Sequence, residues 1–235
     1  VLASAWDMVR DGELAASRFL DAALRALGVE EHSSVIQGLL GRITTCLSGF
    51  LPPAVRRELA PGTADRLLEL ARTAKAGSDK QLQLVRALAA TAVTDEQLDV
   101  VAGLLEGGET PGGIDIDQDL RWDLLIGLVA AGRFGEEQIR AEEARDRTTT
   151  GRERAAEARA SIPTPEAKQA TWRALVDDAS MPNETQVRVL RGLTNVESRP
   201  ELLAPFVGAY VEAIDPVRST STVTLTPKLL TGQWS

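Results

Sequence analysis

Apolar residues recur at helical spacing almost from end to end of this chain, and that periodicity constrains the fold more than any other feature. Leu20, Ala23, Leu24 and Leu27 form one i, i+3, i+4, i+7 stripe, and Leu98, Val101, Ala102 and Leu105 form another. Trp172, Leu175, Val176 and Ala179 repeat the pattern, and Leu203, Phe206, Val207, Tyr210, Val211 and Ile214 extend it over three turns. No segment before residue 219 alternates as a half-buried strand would. Helix starts are also encoded: a Ser, Thr or Asn followed three residues later by Glu or Gln satisfies two orphan backbone donors reciprocally. Ser78 with Gln81, Thr94 with Gln97, Thr150 with Glu153, Asn183 with Gln186 and Ser198 with Glu201 all fit. Thr164-Pro165 adds a cap followed by proline at the first helical position. The expected fold class is all-α.

The periodic segments predict helices of about 10 to 18 residues joined by short connectors, which is how antiparallel helix pairs are built. Lys75-Ala-Gly77 and Met181-Pro-Asn183 are two such connectors. Stacked pairs give a HEAT-like α-solenoid or superhelix, in which each pair buries its apolar face on its neighbours. No consensus repeats at a fixed period, so the term describes architecture alone. The expected helical domain runs over residues 1–218. Its longest irregular connector, Glu106 to Asp117, holds four glycines and one proline and is the expected hinge between two halves. Residues 219–235 are rich in Ser and Thr and lose the helical stripe, so they read as a strand-like or disordered tail.

Length and charge limit the functions open to such a fold. A 235-residue chain can bury roughly 70–75% of its unfolded surface. Its 43% apolar and 26% charged residues are too apolar for disorder and ordinary for a soluble globular protein. No run reaches the roughly 18 apolar residues of a membrane span, and no basic stretch precedes a short apolar one as in a signal peptide. Net charge of −8 repels phosphate backbones and anionic lipid surfaces, so neither nucleic acid nor membrane is an expected partner. Cys46 stands alone and can form no intrachain disulfide, which fits a reducing, cytoplasmic setting.

Chemistry-bearing residues are few. One His and one Cys cannot build a zinc site, and Asp115, Asp117 and Asp119 lack the spacing and terminal bidentate Glu of an EF-hand. No catalytic residue and no metal ligand is assigned. His32, within Glu30-Glu-His-Ser-Ser34, reads as a surface residue between two helices, and Cys46 as a small buried hydrophobe. From Arg133 to Arg159 acidic and basic residues alternate, which ordinarily means solvated helix faces with i,i+4 pairs. The competing reading is a groove whose arginines bind a peptide carboxylate bidentately. Trp6-Asp7 and Trp122-Asp123 read as core tryptophans with the aspartates on the far side.

Two segments carry a resemblance. Asp119-Leu-Arg-Trp-Asp-Leu-Leu-Ile-Gly-Leu-Val-Ala-Ala-Gly132 and Asp146-Arg-Thr-Thr-Thr-Gly-Arg-Glu-Arg-Ala-Ala-Glu-Ala-Arg-Ala-Ser-Ile-Pro-Thr-Pro-Glu-Ala-Lys168, followed by Trp172, resemble the C-terminal helical domain of the aminopeptidase N family of zinc peptidases. That domain is shared with the endoplasmic-reticulum antigen-trimming aminopeptidases, and the match extends from about Trp6 to about Tyr210. The resemblance implies a non-catalytic lid that closes over a catalytic domain and encloses a cavity for peptide substrates. It places the zinc-binding His-Glu-x-x-His motif, the distant glutamate ligand and the exopeptidase motif upstream, in the same bacterial-type polypeptide. Zinc is therefore expected in the parent enzyme and not in this chain, whose partners would be the upstream catalytic domain and peptides. Arg121, Trp122 and Arg191 are the candidate peptide-groove residues. The opening Val1-Leu-Ala without an initiator methionine is how a fragment of a longer polypeptide would begin. The tail departs from the family, where further helices commonly follow the region around Tyr210. The alternative is a stand-alone α-solenoid that binds protein partners through a concave face.

Overall fold

A computed structural model describes residues 2–108, 113–178, 180–195 and 200–208. These residues are all-α, with no strand among them. In chain order the helices are α1 (Leu2–Arg10), α2 (Ala16–Val29), α3 (Ser33–Thr45), α4 (Pro53–Thr73), α5 (Asp79–Thr91) and α6 (Asp95–Leu105). There follow α7 (Gln118–Ala130), α8 (Glu136–Arg145), α9 (Thr149–Ser161), α10 (Pro165–Asp177) and α11 (Asn183–Thr194). A π-helical turn, Cys46–Phe50, prolongs α3, and a 3-10 turn spans Pro200–Leu203. The expected tail, residues 219–235, and the Ser198 cap lie outside the described residues.

The caps explain where helices begin. Thr94 and Gln97 form the full reciprocal box: the Thr94 hydroxyl accepts from Gln97 N–H at 3.3 Å, and Gln97 Oε1 accepts from Thr94 N–H at 3.2 Å. The Ser78 hydroxyl accepts from Gln81 N–H at 3.2 Å, while the Gln81 side chain reaches one residue further back, to Gly77 N–H. Thr164 caps α10, with Pro165 in its first turn. Two starts differ from expectation. Thr148, not Thr150, caps α9, because Asp146 Oδ1 accepts from both the amide and the hydroxyl of Thr148 and so holds it in place. Pro182, not Asn183, holds the cap position of α11, and Asn183 is already helical. Helix α4, at 21 residues, exceeds the expected length because it runs through Pro61. Proline withholds its N–H from the carbonyl of Arg57, an exposed residue that water can reach, so the helix continues.

The chain divides into two compact units, Val1–Leu128 and Val129–Ser235, the division falling inside α7. In the first, α4 packs on α5 and α3 on α5, around fully buried Phe19, Leu27, Ile36, Leu67, Leu84 and Trp122. Each such side chain contributes roughly 1.5–3 kcal/mol by leaving water. Trp6 packs against Phe19 and Phe50 with ring centroids 5.2 and 5.3 Å apart. Cys46 is fully buried, and burial pushes its thiol up to about 11, which leaves it protonated and unreactive at neutral pH. In the second unit, α9 packs most extensively on α11, its neighbour but one in sequence. That alternation is the kind stacked helix layers use.

Close approach at α5 and α7 gives a prediction. A Cβ on Gly127 would lie 2.2 Å from the carbonyl oxygen of Ala89, whereas one on Gly38, within α3, meets nothing within 4 Å. Alanine ordinarily stabilises a helix interior by roughly 0.5–1 kcal/mol over glycine. Gly38→Ala is expected to follow that rule, and Gly127→Ala to reverse it, losing about 2 kcal/mol as α5 and α7 are forced apart. Urea unfolding of the two variants checks the contrast in sign.

Candidate functional site

A cluster of buried and half-buried charged groups lies within the second unit, on α9, α10 and α11. Helix α9 buries Gly151, Ala155, Ala158 and Ala160, so little side-chain bulk keeps α11 away. Gly192 of α11 exploits this: a Cβ there would be 2.3 Å from the Glu157 carbonyl oxygen and 2.7 Å from Ala160 Cβ. Backbones so close bring charged side chains of both helices together in a poorly hydrated space. Arg154 Nη1 donates to Glu157 Oε2 at 3.0 Å, and Arg188 Nη1 of α11 donates to the same oxygen at 3.3 Å. The side chains of Arg154, Glu157 and Arg188 are 9, 5 and 22% exposed. Two guanidinium groups thus share the Glu157 carboxylate, and Arg188 also reaches Glu184 Oε1 at 3.7 Å.

A third cation lies where α10 joins α9 and α11. Lys168 of α10 is fully buried, and its Nζ donates to the Ala160 carbonyl at 2.6 Å and the Gly192 carbonyl at 2.9 Å. Burial pulls its ammonium down to about 8. Both acceptors sit in the last turn of their helices, where carbonyls carry partial negative charge; that of Gly192 also accepts from Asn195 N–H at 3.2 Å. Between α8 and α9, Arg159 donates from Nη2 to Glu143 at 2.7 Å and from Nε to both Glu136 oxygens, at 3.1 and 3.2 Å.

This arrangement corrects the reading of the alternating charges as solvated faces with local pairs. Arg140 with Glu136 is such a pair, at i,i+4. Arg159 instead ties two helices, and Arg154 with Glu157 is buried. Periodicity could have flagged Lys168, which stands at i−4 and i−7 from Trp172 and Leu175 and so falls on the apolar stripe of α10. It is the buried residue of that helix.

The three candidate groove residues do not share one unit. Trp122 is fully buried in the first unit, so it fills core volume, as the core reading of the tryptophans expects. Its neighbour Asp123 departs from that reading, being only 28% exposed and paired with Arg86 at 2.9 Å. Arg121 Nη1 donates to the Leu105 carbonyl at 2.8 Å and thereby caps the C-terminus of α6. Arg191 is exposed on α11, in the second unit.

Exposed His32 precedes α3, its Nδ1 2.9 Å from Glu30 Oε1, in the connector where the sequence places it. Among the described residues no three His, Cys, Asp or Glu side chains converge as metal ligands. No helix among those residues is long and apolar enough to cross a membrane. What the geometry offers is carboxylate-directed guanidinium chemistry within a helical scaffold.

Comparison with known proteins agrees with the resemblance of the two motif segments. The ERAP1-like C-terminal domain family matches residues 1–235. Aminopeptidase N of Streptomyces lividans is 39% identical over 230 residues, covering 98% of this chain. The chain spans 27% of the length of that curated relative. By the family match over the whole chain and this identity, the chain belongs to the family of ERAP1-like C-terminal domains.

Proposed function

We propose that this chain is the non-catalytic C-terminal part of a zinc-dependent aminopeptidase that removes N-terminal residues from peptides. In this reading it shapes the substrate cavity and the access to it, as a lid on a catalytic domain in the same polypeptide. The observation that carries the reading is the 39% identity to aminopeptidase N over nearly the whole chain, combined with coverage of only 27% of that relative. In this reading zinc would be held elsewhere in the parent polypeptide, where it would supply Lewis-acid chemistry and an activated water. What this chain supplies is a rigid helical surface and arginines able to orient a peptide carboxylate.

The purified chain is expected to show no hydrolysis of aminoacyl chromogenic substrates, with or without added zinc. Robust zinc-dependent turnover by the chain alone overturns the proposal. An antibody against the chain should detect a native polypeptide several times larger than 25.2 kDa on a denaturing gel of source extract. A native product of the chain's own size would instead favour a free-standing scaffold.

A further inference from the structure

Lys168 is buried without a carboxylate. Its Nζ meets two acceptors, the carbonyls of Ala160 and Gly192, and no ion pair joins it to any described residue. Two acceptors match the two N–H bonds of a neutral amine, whereas an ammonium brings a third donor into the same dry site. The charged groups around it are already committed elsewhere or exposed. On α9, Arg154 and Glu157 bond each other; on α11, Arg188 bonds Glu157, while Arg191 lies exposed. Glu201 of the 3-10 turn packed on α10, and Glu166 on α10 itself, are exposed as well. The groups that Nζ meets among the described residues are carbonyls at the partly negative C-terminal ends of α9 and α11.

From this geometry we propose that Lys168 is a proton-operated clamp: release of its proton tightens the junction of α9, α10 and α11, and uptake of the proton loosens it. Both hydrogen bonds survive deprotonation, since a neutral amine still carries two N–H donors. What disappears is the cost of holding an unpaired charge out of water. The folded state therefore gives up its Lys168 proton at lower pH than the unfolded chain does, about 8 against the ordinary lysine value of 10.5. Between those values the unfolded chain binds more protons, so stability rises with pH across the window. A lysine held by a carboxylate would behave in the opposite sense.

The test is equilibrium urea unfolding of the 235-residue chain and its Lys168→Met variant from pH 7 to 10.5. The folded population of the wild type, relative to the variant, is expected to rise on the order of a hundredfold over the range. A difference that stays flat, or falls with pH, overturns the clamp. Should Lys168→Met fail to fold, NMR of the wild type with ¹³Cε-labelled lysine reads the same quantity. The Lys168 resonance, identified by through-bond assignment, should titrate near pH 8. Titration of that resonance above pH 10 overturns the proposal.

Discussion

Trp122→Ala is expected to cost the first unit about 3–5 kcal/mol, the loss typical of truncating a large aromatic in a closed core. Trp122 is fully buried, and its neighbours along α7, Leu120, Leu124 and Leu125, are buried with it. No small shift of α7 can fill the space of an indole, because α7 already touches the Ala89 backbone at Gly127. A cavity remains, and its lining loses dispersion contacts that nothing replaces. The measurement is the urea midpoint, with hydrogen exchange locating the loss in the residues before 129. The same experiment tests the groove reading of Trp122. A tryptophan presented to peptide would change peptide binding with little effect on stability, so a loss below about 1 kcal/mol would contradict the burial.

Glu157→Ala is expected to destabilise the second unit by roughly 3 kcal/mol. The carboxylate accepts from Arg154 and Arg188, and its removal takes one charged acceptor from the buried Arg154 and leaves it beside a like charge. Removing one member of a buried ion pair costs more than replacing both with apolar groups. Simultaneous replacement of Arg154 and Glu157 by methionine should therefore cost less than Glu157→Ala alone. Arg188→Ala should cost less still, since that side chain is partly hydrated and its bond to Glu157 is the longer one, 3.3 against 3.0 Å. Hydrogen exchange of α9 and α11 amides reports where protection is lost. A double variant as unstable as Glu157→Ala would show that the arginine makes indispensable contacts of another kind.

Much of the fold was legible in the sequence because helix formation is decided locally. Apolar spacing, the Thr94 box and the Thr164-Pro165 start each act within a few residues, and each is found where the sequence places it. The cap of α9 was less legible, since Thr148 and Thr150 are both competent threonines. The choice fell to Asp146, whose carboxylate holds Thr148. The burial of Cys46 follows from its place on an apolar helical pattern.

The candidate site was barely legible, and the reason is physical. Along one helix, Arg154, Glu157 and Arg159 look alike: charged residues at spacings suited to local pairs. Their fates diverge only when other helices arrive, α11 covering Glu157 and α8 supplying Glu136 and Glu143 to Arg159. Lys168 shares its helix with an apolar stripe, yet nothing nearby in sequence says that two helix ends will converge on its amine. The sequence by itself determined that this protein is helical, where α5, α6 and α10 start, and which family the chain belongs to. The tertiary structure alone decided which charges lose their water, because desolvation depends on the element packed opposite, far away along the chain.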